Sequence, residues 1–315
     1  MSTATASVDA APAPPAPRSG LARLRLLGAD IKLAHSVFAL PFALLGAFMA
    51  GLAGEPAGLA AGKLGLVIVC MVSGRTWAML INRLAEVRFD RENPRTARRA
   101  FASGRLRRRD GGLGAAAAAV VFGAGCAGFW LLDDNPWPVI LGAPTLGWIA
   151  LYSFTKRFTW LCHLFLGGAL AASPLPAAIA VDPAWLSGAH AGGIWLLSAT
   201  VALWVAGFDV IYALQDLEFD RARKLRSVPA RFGAGGAMWV SRLLHAGAVA
   251  CLAGVWGLDS RFGVIFGAGV AMVGGLLVWE HAIVARRGNL EMAFFTINGA
   301  VSLVLGALGI VDVLV

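Results

Sequence analysis

The sequence predicts an all-α integral membrane protein, a bundle of nine transmembrane helices around a central cavity. Three observations predict it. Of the 315 residues 58% are hydrophobic and only 14% charged, against the roughly one quarter charged that keeps a globular domain in water. Mean hydropathy is +0.71. Glycine, at 39 residues, and tryptophan, at 11, suit close helix packing and anchoring at a bilayer interface.

Residues 1–20, rich in Ala, Pro, Ser and Thr, cannot bury enough surface to offset ordering entropy and read as a disordered cytoplasmic tail. Residues 21–315 form the transmembrane domain. The tail lacks the basic, apolar and small-residue succession of a cleaved signal peptide, so the first span directs insertion. A crossing needs about 20 apolar residues. Nine segments qualify, near 34–53, 59–82, 112–132, 138–155, 160–182, 192–215, 236–258, 261–284 and 291–314. The turns Asp133-Asp134-Asn135-Pro136, Asp182-Pro183 and Asp259-Ser260 punctuate them.

Charge then sets orientation. With the N-terminus cytoplasmic, the N-terminal segment through Lys32, the Arg-rich loop from Arg83 to Arg109, the Lys156-Arg157 turn, the 221–231 loop and Arg286-Arg287 place 23 of the 27 basic residues on one side. Lys63 and Arg261 fall opposite, and Arg75 and Arg242 within spans. This satisfies the positive-inside rule for a bacterial-type inner membrane. Nine spans put the C-terminus outside. The net charge of +9 points to anionic headgroups or an anionic substrate rather than nucleic acid, because the Arg residues sit in short loops.

Cys70, Cys126, Cys162 and Cys251 lie in apolar runs without C-x-x-C spacing and read as small buried hydrophobes. His35, His163, His190, His245 and His281 show no ligand spacing and read as satisfied core or interfacial residues. Arg242 and Glu280 read as helix-packing or interfacial groups.

Chemistry concentrates in two loops. Glu86-Val87-Arg88-Phe89-Asp90-Arg91 and Asp216-Leu217-Glu218-Phe219-Asp220-Arg221 repeat the pattern acid-x-x-Phe-Asp-Arg 130 residues apart. Each begins where an apolar span ends, which is an echo of duplication. Asn82, Glu86 and Asp90 follow at i, i+4 and i+8, hence on one helical face, as do Tyr212, Asp216 and Asp220. Asp209 lies one heptad before Asp216. Such acids could neutralise neighbouring Arg at a solvated helix end. Two matched stripes entering apolar spans fit a divalent cation better, because intramembrane polar groups are costly. Mg²⁺ takes oxygen ligands and is held by one or two carboxylates together with substrate phosphates. No G-x-x-x-x-G-K-[ST] loop is present. An amphiphile with a diphosphate head and an isoprenoid tail satisfies both the charged ends and the apolar walls.

These residues resemble the UbiA superfamily of intramembrane prenyltransferases, and within it the 4-hydroxybenzoate polyprenyltransferases of quinone biosynthesis. The first family motif, N-D-x-x-D-x-x-x-D, is met by Asn82, Glu86 and Asp90; the second, D-x-x-x-D after a Tyr, by Tyr212, Asp216 and Asp220. The third, Y-x-x-x-K, is met by Tyr152 and Lys156, with Arg157 following. Arg95-Thr96-Ala97-Arg98-Arg99 and the segment Arg226 to Gly233 are similar too. Arg83 and Glu86 depart from the first motif and leave it one carboxylate fewer. The resemblance, over about residues 25–315, implies that Asn82, Glu86, Asp90, Asp216 and Asp220 hold diphosphate through Mg²⁺ and that Lys156 contacts phosphate, with Arg157, Tyr152 and Tyr212 beside it. Arg75, seven residues before Asn82, either binds an acceptor carboxylate or pairs with Asp209. Lys32 is a further candidate for an acidic acceptor.

The implied reaction moves a polyprenyl group from polyprenyl diphosphate to an aromatic acid, 4-hydroxybenzoate foremost. A naphthoate-type menaquinone precursor, a glycerophosphate or haem are alternative acceptors. A membrane transporter or lipid-binding module with charged gating ends is the alternative of a different class.

Overall fold

The computed structural model describes residues 19–32, 38–188, 191–287 and 292–315. The expectation for the tail falls almost wholly outside the described residues, as do His35, His190 and the start of the first span. Every regular element among the described residues is helical. Among the described residues eight helical segments are long and apolar enough to cross a membrane, one of them, Cys162–Val181, in two pieces, and a shorter apolar helix, α2 (Leu40–Met49), occupies the place of the first expected span. The protein is an integral membrane bundle.

Helix α1 (Gly20–Asp30) starts where the Ser19 hydroxyl accepts the Ala22 N–H at 3.2 Å, an N-cap that satisfies one orphan donor. Helix α2 is the centre of the bundle: Phe42, Ala43, Leu45, Ala47 and Met49 are fully buried. A helix buried all round needs apolar residues on every face, and LPFALLGAFM supplies them. Gly46 lets α2 approach closely, since a Cβ there would come within 2.8 Å of the Pro174 Cα.

Helix α3 (Ala57–Glu92) runs 36 residues, about 54 Å at 1.5 Å per residue and so well beyond the hydrocarbon thickness. Its last turns carry Asn82, Glu86 and Asp90. Helix α4 (Arg108–Asp133) returns antiparallel against it, starting at a capping box in which the Arg107 N–H donates to Asp110 at 2.9 Å. Helix α5 (Trp137–Thr155) ends at Lys156.

The fifth expected span, 160–182, is broken. Helix α6 (Cys162–Ala171) stops and α7 (Pro174–Val181) restarts after Ser173, because Pro174 and Pro176 have no N–H to carry the ladder across. Helix α8 (Ala191–Tyr212) passes through a 3₁₀ turn, Ala213–Asp216, into the short α9 (Leu217–Ala222). The second acidic stripe therefore lies on an overwound segment rather than a continuous α-helix. Helix α10 (Val228–Leu258) begins at Ser227, whose hydroxyl accepts the Ala230 N–H at 3.3 Å, and α11 (Val264–Arg287) follows. A π-helical stretch, Met292–Ile297, leads into α12 (Asn298–Leu314).

Helix α8 packs on α6 and α10, α3 on α4 and α5, and α2 on α7 and α12. The C-terminal ends of α3, α5 and α8 and the N-terminal ends of α6 and α10 gather at one end. At the other end Lys63, only 1% exposed, binds Glu55 at 2.7 Å, Asp133 at 2.5 Å and the Val181 carbonyl at 3.0 Å. Arg261 holds Asp259 at 2.6 Å and the Met49 carbonyl at 2.8 Å. Lys63 and Arg261, the two basic residues placed opposite the others by the charge count, thus form the far-end closure.

Candidate active site

The loop between α3 and α4 folds back across the end of α8 and joins the two acidic stripes. Asn93 caps the end of α3 and its side chain donates to Asp216 at 2.8 Å. Arg95 grips the same carboxylate with two nitrogens, at 3.0 and 2.5 Å, and donates to the Tyr212 hydroxyl at 3.0 Å. Its guanidinium lies 5.3 Å from the Tyr212 ring centroid. Burial draws Arg95 down, but Asp216 and Tyr212 outweigh it and hold the guanidinium above its ordinary value. Arg99 plays the same part on α3, binding both oxygens of Asp90, at 2.8 and 3.0 Å, with Glu86 at 3.8 Å.

Asp220 is fully buried. Lys156 meets one of its oxygens at 2.8 Å and the Ser227 hydroxyl donates to the other at 2.9 Å. Burial lowers the Lys156 ammonium, yet Asp220, Glu86 and Asp216 together raise it above the usual lysine range. The Lys156 carbonyl accepts the Arg226 N–H at 2.7 Å, so the end of α5 is tied to the loop that starts α10. Arg157 turns aside. It donates to the Ala85 carbonyl at 2.7 Å and lies over the rings of Phe89 and Phe154.

Beneath these pairs is a cavity of about 400 Å³. All twelve residues expected from the sequence line it: Asn82, Glu86, Asp90, Asp216, Asp220, Tyr152, Lys156, Arg157, Tyr212, Arg75, Asp209 and Lys32. The two tyrosines in that set are the chain's complement of two. Arg75 donates to the backbone carbonyls of Ile31 at 3.4 Å and Lys32 at 3.1 Å, and does not pair with Asp209. Asp209 instead meets His163 Nδ1 at 2.6 Å. Deeper walls are apolar, with Met71, Ile149, Leu166, Val205 and Phe208.

Several functional neighbours escaped sequence reasoning. Arg95 and Arg99 stood in a segment noticed only for its similarity, and a basic loop residue carries no label saying which acid it will meet. Arg83, the departure in the first motif, is buried and braced by Asp30, whose carbonyl it reaches at 3.3 Å and whose carboxylate lies at 3.5 Å. It also donates to Asn82 Oδ1 at 3.2 Å. The residue thus orients an expected oxygen ligand from a position where the family pattern has an acid. His163, read as a satisfied core residue, is satisfied but lines the cavity.

The donor set, four carboxylates and the Asn82 amide, consists of hard oxygens around one cavity, which fits a magnesium ion. Among the described residues no three His, Cys, Asp or Glu side chains converge closely enough to chelate a metal alone.

Fold and site together define a membrane-embedded enzyme with a charged cap over an apolar chamber, suited to an amphiphile with an anionic head. The chain belongs to the UbiA prenyltransferase family, whose model matches residues 39–305. It is 30% identical to a 4-hydroxybenzoate octaprenyltransferase of Azotobacter vinelandii over 70% of this chain and 72% of that protein. A UbiA homolog from Aeropyrum pernix K1, 33% identical, superposes with a TM-score of 0.76 over 89% of this chain and 98% of the other. A UbiA homolog from Archaeoglobus fulgidus bound to GPP and Mg²⁺, 19% identical, shares the fold with a TM-score of 0.68 over 93% and 99% of the two chains.

Proposed function

We propose that this chain transfers a polyprenyl group from polyprenyl diphosphate to a ring carbon of an aromatic acid, with 4-hydroxybenzoate as the acceptor, in a magnesium-dependent reaction. One observation carries the reading: two acid-bearing helix ends, 130 residues apart in sequence, border one cavity and are tied by a single loop, through Arg99 on Asp90 and Arg95 on Asp216. The Azotobacter vinelandii relative's name supports the acceptor and the Archaeoglobus fulgidus structure supports the metal and the class of donor.

In this reading Asp216, Asp220, Asn82, Glu86 and Asp90 hold magnesium. When bound, the ion neutralises charge on the departing pyrophosphate. Arg95, Arg99 and Lys156 each neutralise a cavity carboxylate. With the diphosphate bound, Arg95, Arg99 and Lys156 would exchange carboxylate for phosphate oxygens, which would leave the carboxylates to hold the ion. Arg is suited to that exchange because its planar fork fits either partner. Tyr212 and Tyr152 flank the head group, and Arg157, held on the Ala85 carbonyl, borders the cavity beside them. The prenyl chain lies along the apolar walls. Loss of the diphosphate leaves an allylic cation facing the ring, whose electron pair makes the new carbon–carbon bond. Arg75, about 10 Å deeper than Asn82 by helical rise, binds the acceptor carboxylate, with Lys32, whose carbonyl Arg75 holds at 3.1 Å, beside it.

In this reading, which the basic loops support, the site and the N-terminus lie on the cytoplasmic side of a bacterial-type inner membrane, and a ninth crossing through α2 puts the C-terminus outside. Purified protein incubated with labelled polyprenyl diphosphate and a panel of aromatic acids, with magnesium or with a chelator, tests the reading. Prenylated 4-hydroxybenzoate formed only with magnesium is expected. Product on a naphthoate acid alone would move the acceptor, and no metal-dependent pyrophosphate release would end the enzymatic reading.

A further inference from the structure

Asp209 stands apart from the other cavity acids. Asp90, Asp216 and Asp220 each hold an Arg or Lys within 3 Å, and Glu86 has Arg99 at 3.8 Å. Asp209, 23% exposed and lining the same cavity, has no Arg or Lys partner among the described residues. Its partner is His163, 3% exposed. The Val228 N–H donates to His163 Nε2 at 3.2 Å. A backbone N–H can only donate, so Nε2 carries the lone pair and the ring is neutral, with its proton on Nδ1. That proton is shared with Asp209 Oδ2 at 2.6 Å. A neutral donor fixes a carboxylate without cancelling its charge.

Placement adds the second half. Asp209 is seven residues before Asp216, three steps of α-helix and four of the 3₁₀ turn, and so about 12 Å deeper than Asp216 by backbone rise. The same two-residue corner secures both depths: Ser227 donates to Asp220 and the next residue, Val228, donates to His163.

We propose that Asp209 is the catalytic base of the transfer and that His163 is its positioning residue. The inference rests on the reading of the chain as an aromatic prenyltransferase. The prenyl C1–O bond breaks and its electron pair leaves on the diphosphate oxygen. A π pair of the ring forms the new carbon–carbon bond. The ring C–H bond then breaks, its pair restores aromaticity, and the proton passes to the Asp209 oxygen that His163 does not hold. No oxidant or reductant enters.

Two near-isosteric variants separate positioning from packing. In His163→Asn the amide nitrogen takes the place of Nδ1, keeping the bond to Asp209 and dropping that to Val228. In His163→Gln the amide oxygen takes the place of Nε2, keeping the Val228 bond and losing Asp209. The expected result is kcat at least about tenfold higher in H163N than in H163Q, with kcat in Asp209→Asn lower by about 10²-fold or more. Donor binding, followed by fluorescence titration with a non-transferable prenyl diphosphate analogue, stays within about threefold of wild type in D209N, as expected if Asp209 acts after binding. With ring-deuterated acceptor, kH/kD rises from about 1 in wild type to above about 2 in H163Q and D209N, as proton removal becomes limiting.

H163Q outperforming H163N, or equal losses with no isotope effect, would assign His163 to capping α10 and overturn the proposal. Unchanged turnover in D209N would also overturn it. If neither histidine variant folds, the isotope effect in D209N decides. Wild-type protein that prenylates no aromatic acid removes this inference together with the reading beneath it, whereas active wild type with the opposite variant order removes this inference alone.

Discussion

The two ends of the bundle are built from the same chemistry and put it to different use. At the far end Lys63 is sealed between Glu55, Asp133 and the Val181 carbonyl, with 1% of its side chain accessible. At the cap Arg95, Arg99 and Lys156, each about a quarter exposed, meet carboxylates that border an open cavity. A buried cation such as Lys63 cannot leave its carboxylates, themselves 24% and 36% exposed, without being stranded. A cation beside an accessible cavity can. Exchangeability rather than the number of charges separates a structural closure from a binding site.

The sharpest break of that comparison is Asp216→Ala. Prenyl transfer should fall by at least about 10²-fold while the protein stays monodisperse in detergent; retained turnover would take Asp216 out of the site. Lys63→Met should act in the opposite sense. It leaves the partly exposed Glu55 and Asp133 and the Val181 carbonyl without their cation, and should cost about 1.5 kcal/mol, read as a lower Tm with kcat per folded molecule little changed. Arg95→Lys is intermediate. It keeps the charge but loses the two-nitrogen grip on Asp216, so donor KM should rise about tenfold with Tm nearly constant. Arg88→Ala should be smallest. Its side chain is 82% exposed and 3.7 Å from Glu92, and such pairs contribute under about 0.5 kcal/mol. A larger shift in thermal unfolding would mean that the rim of the cap is not simply solvated.

Much of the fold and the acidic stripes was legible because both follow from local spacing. Asn82, Glu86 and Asp90 share a face by the helical repeat alone, and lining one cavity follows once α3 and α8 end on the same side. The stop of the first span at Met49 rather than near residue 53 was not legible, since hydropathy counts apolar residues and not where a helix stops. The break before Pro174 had its signal in Ser173-Pro174-Leu175-Pro176, which the continuous apolar run concealed. Asp30, Asn93, Arg95, Arg99 and His163 join the site through contacts such as Asn93 to Asp216, 123 residues apart. Periodicity says nothing about such pairs, because loop closure and packing decide them.

Helix α3 carries Lys63 near one end and Glu86 and Asp90 near the other, so a single rod joins the outer seal to the head-group acids. A rod longer than the hydrocarbon layer answers a change in membrane thickness by tilting. The depth at which its acids meet the cap is therefore set partly by the lipid, and turnover in nanodiscs should pass through an optimum as acyl chains lengthen.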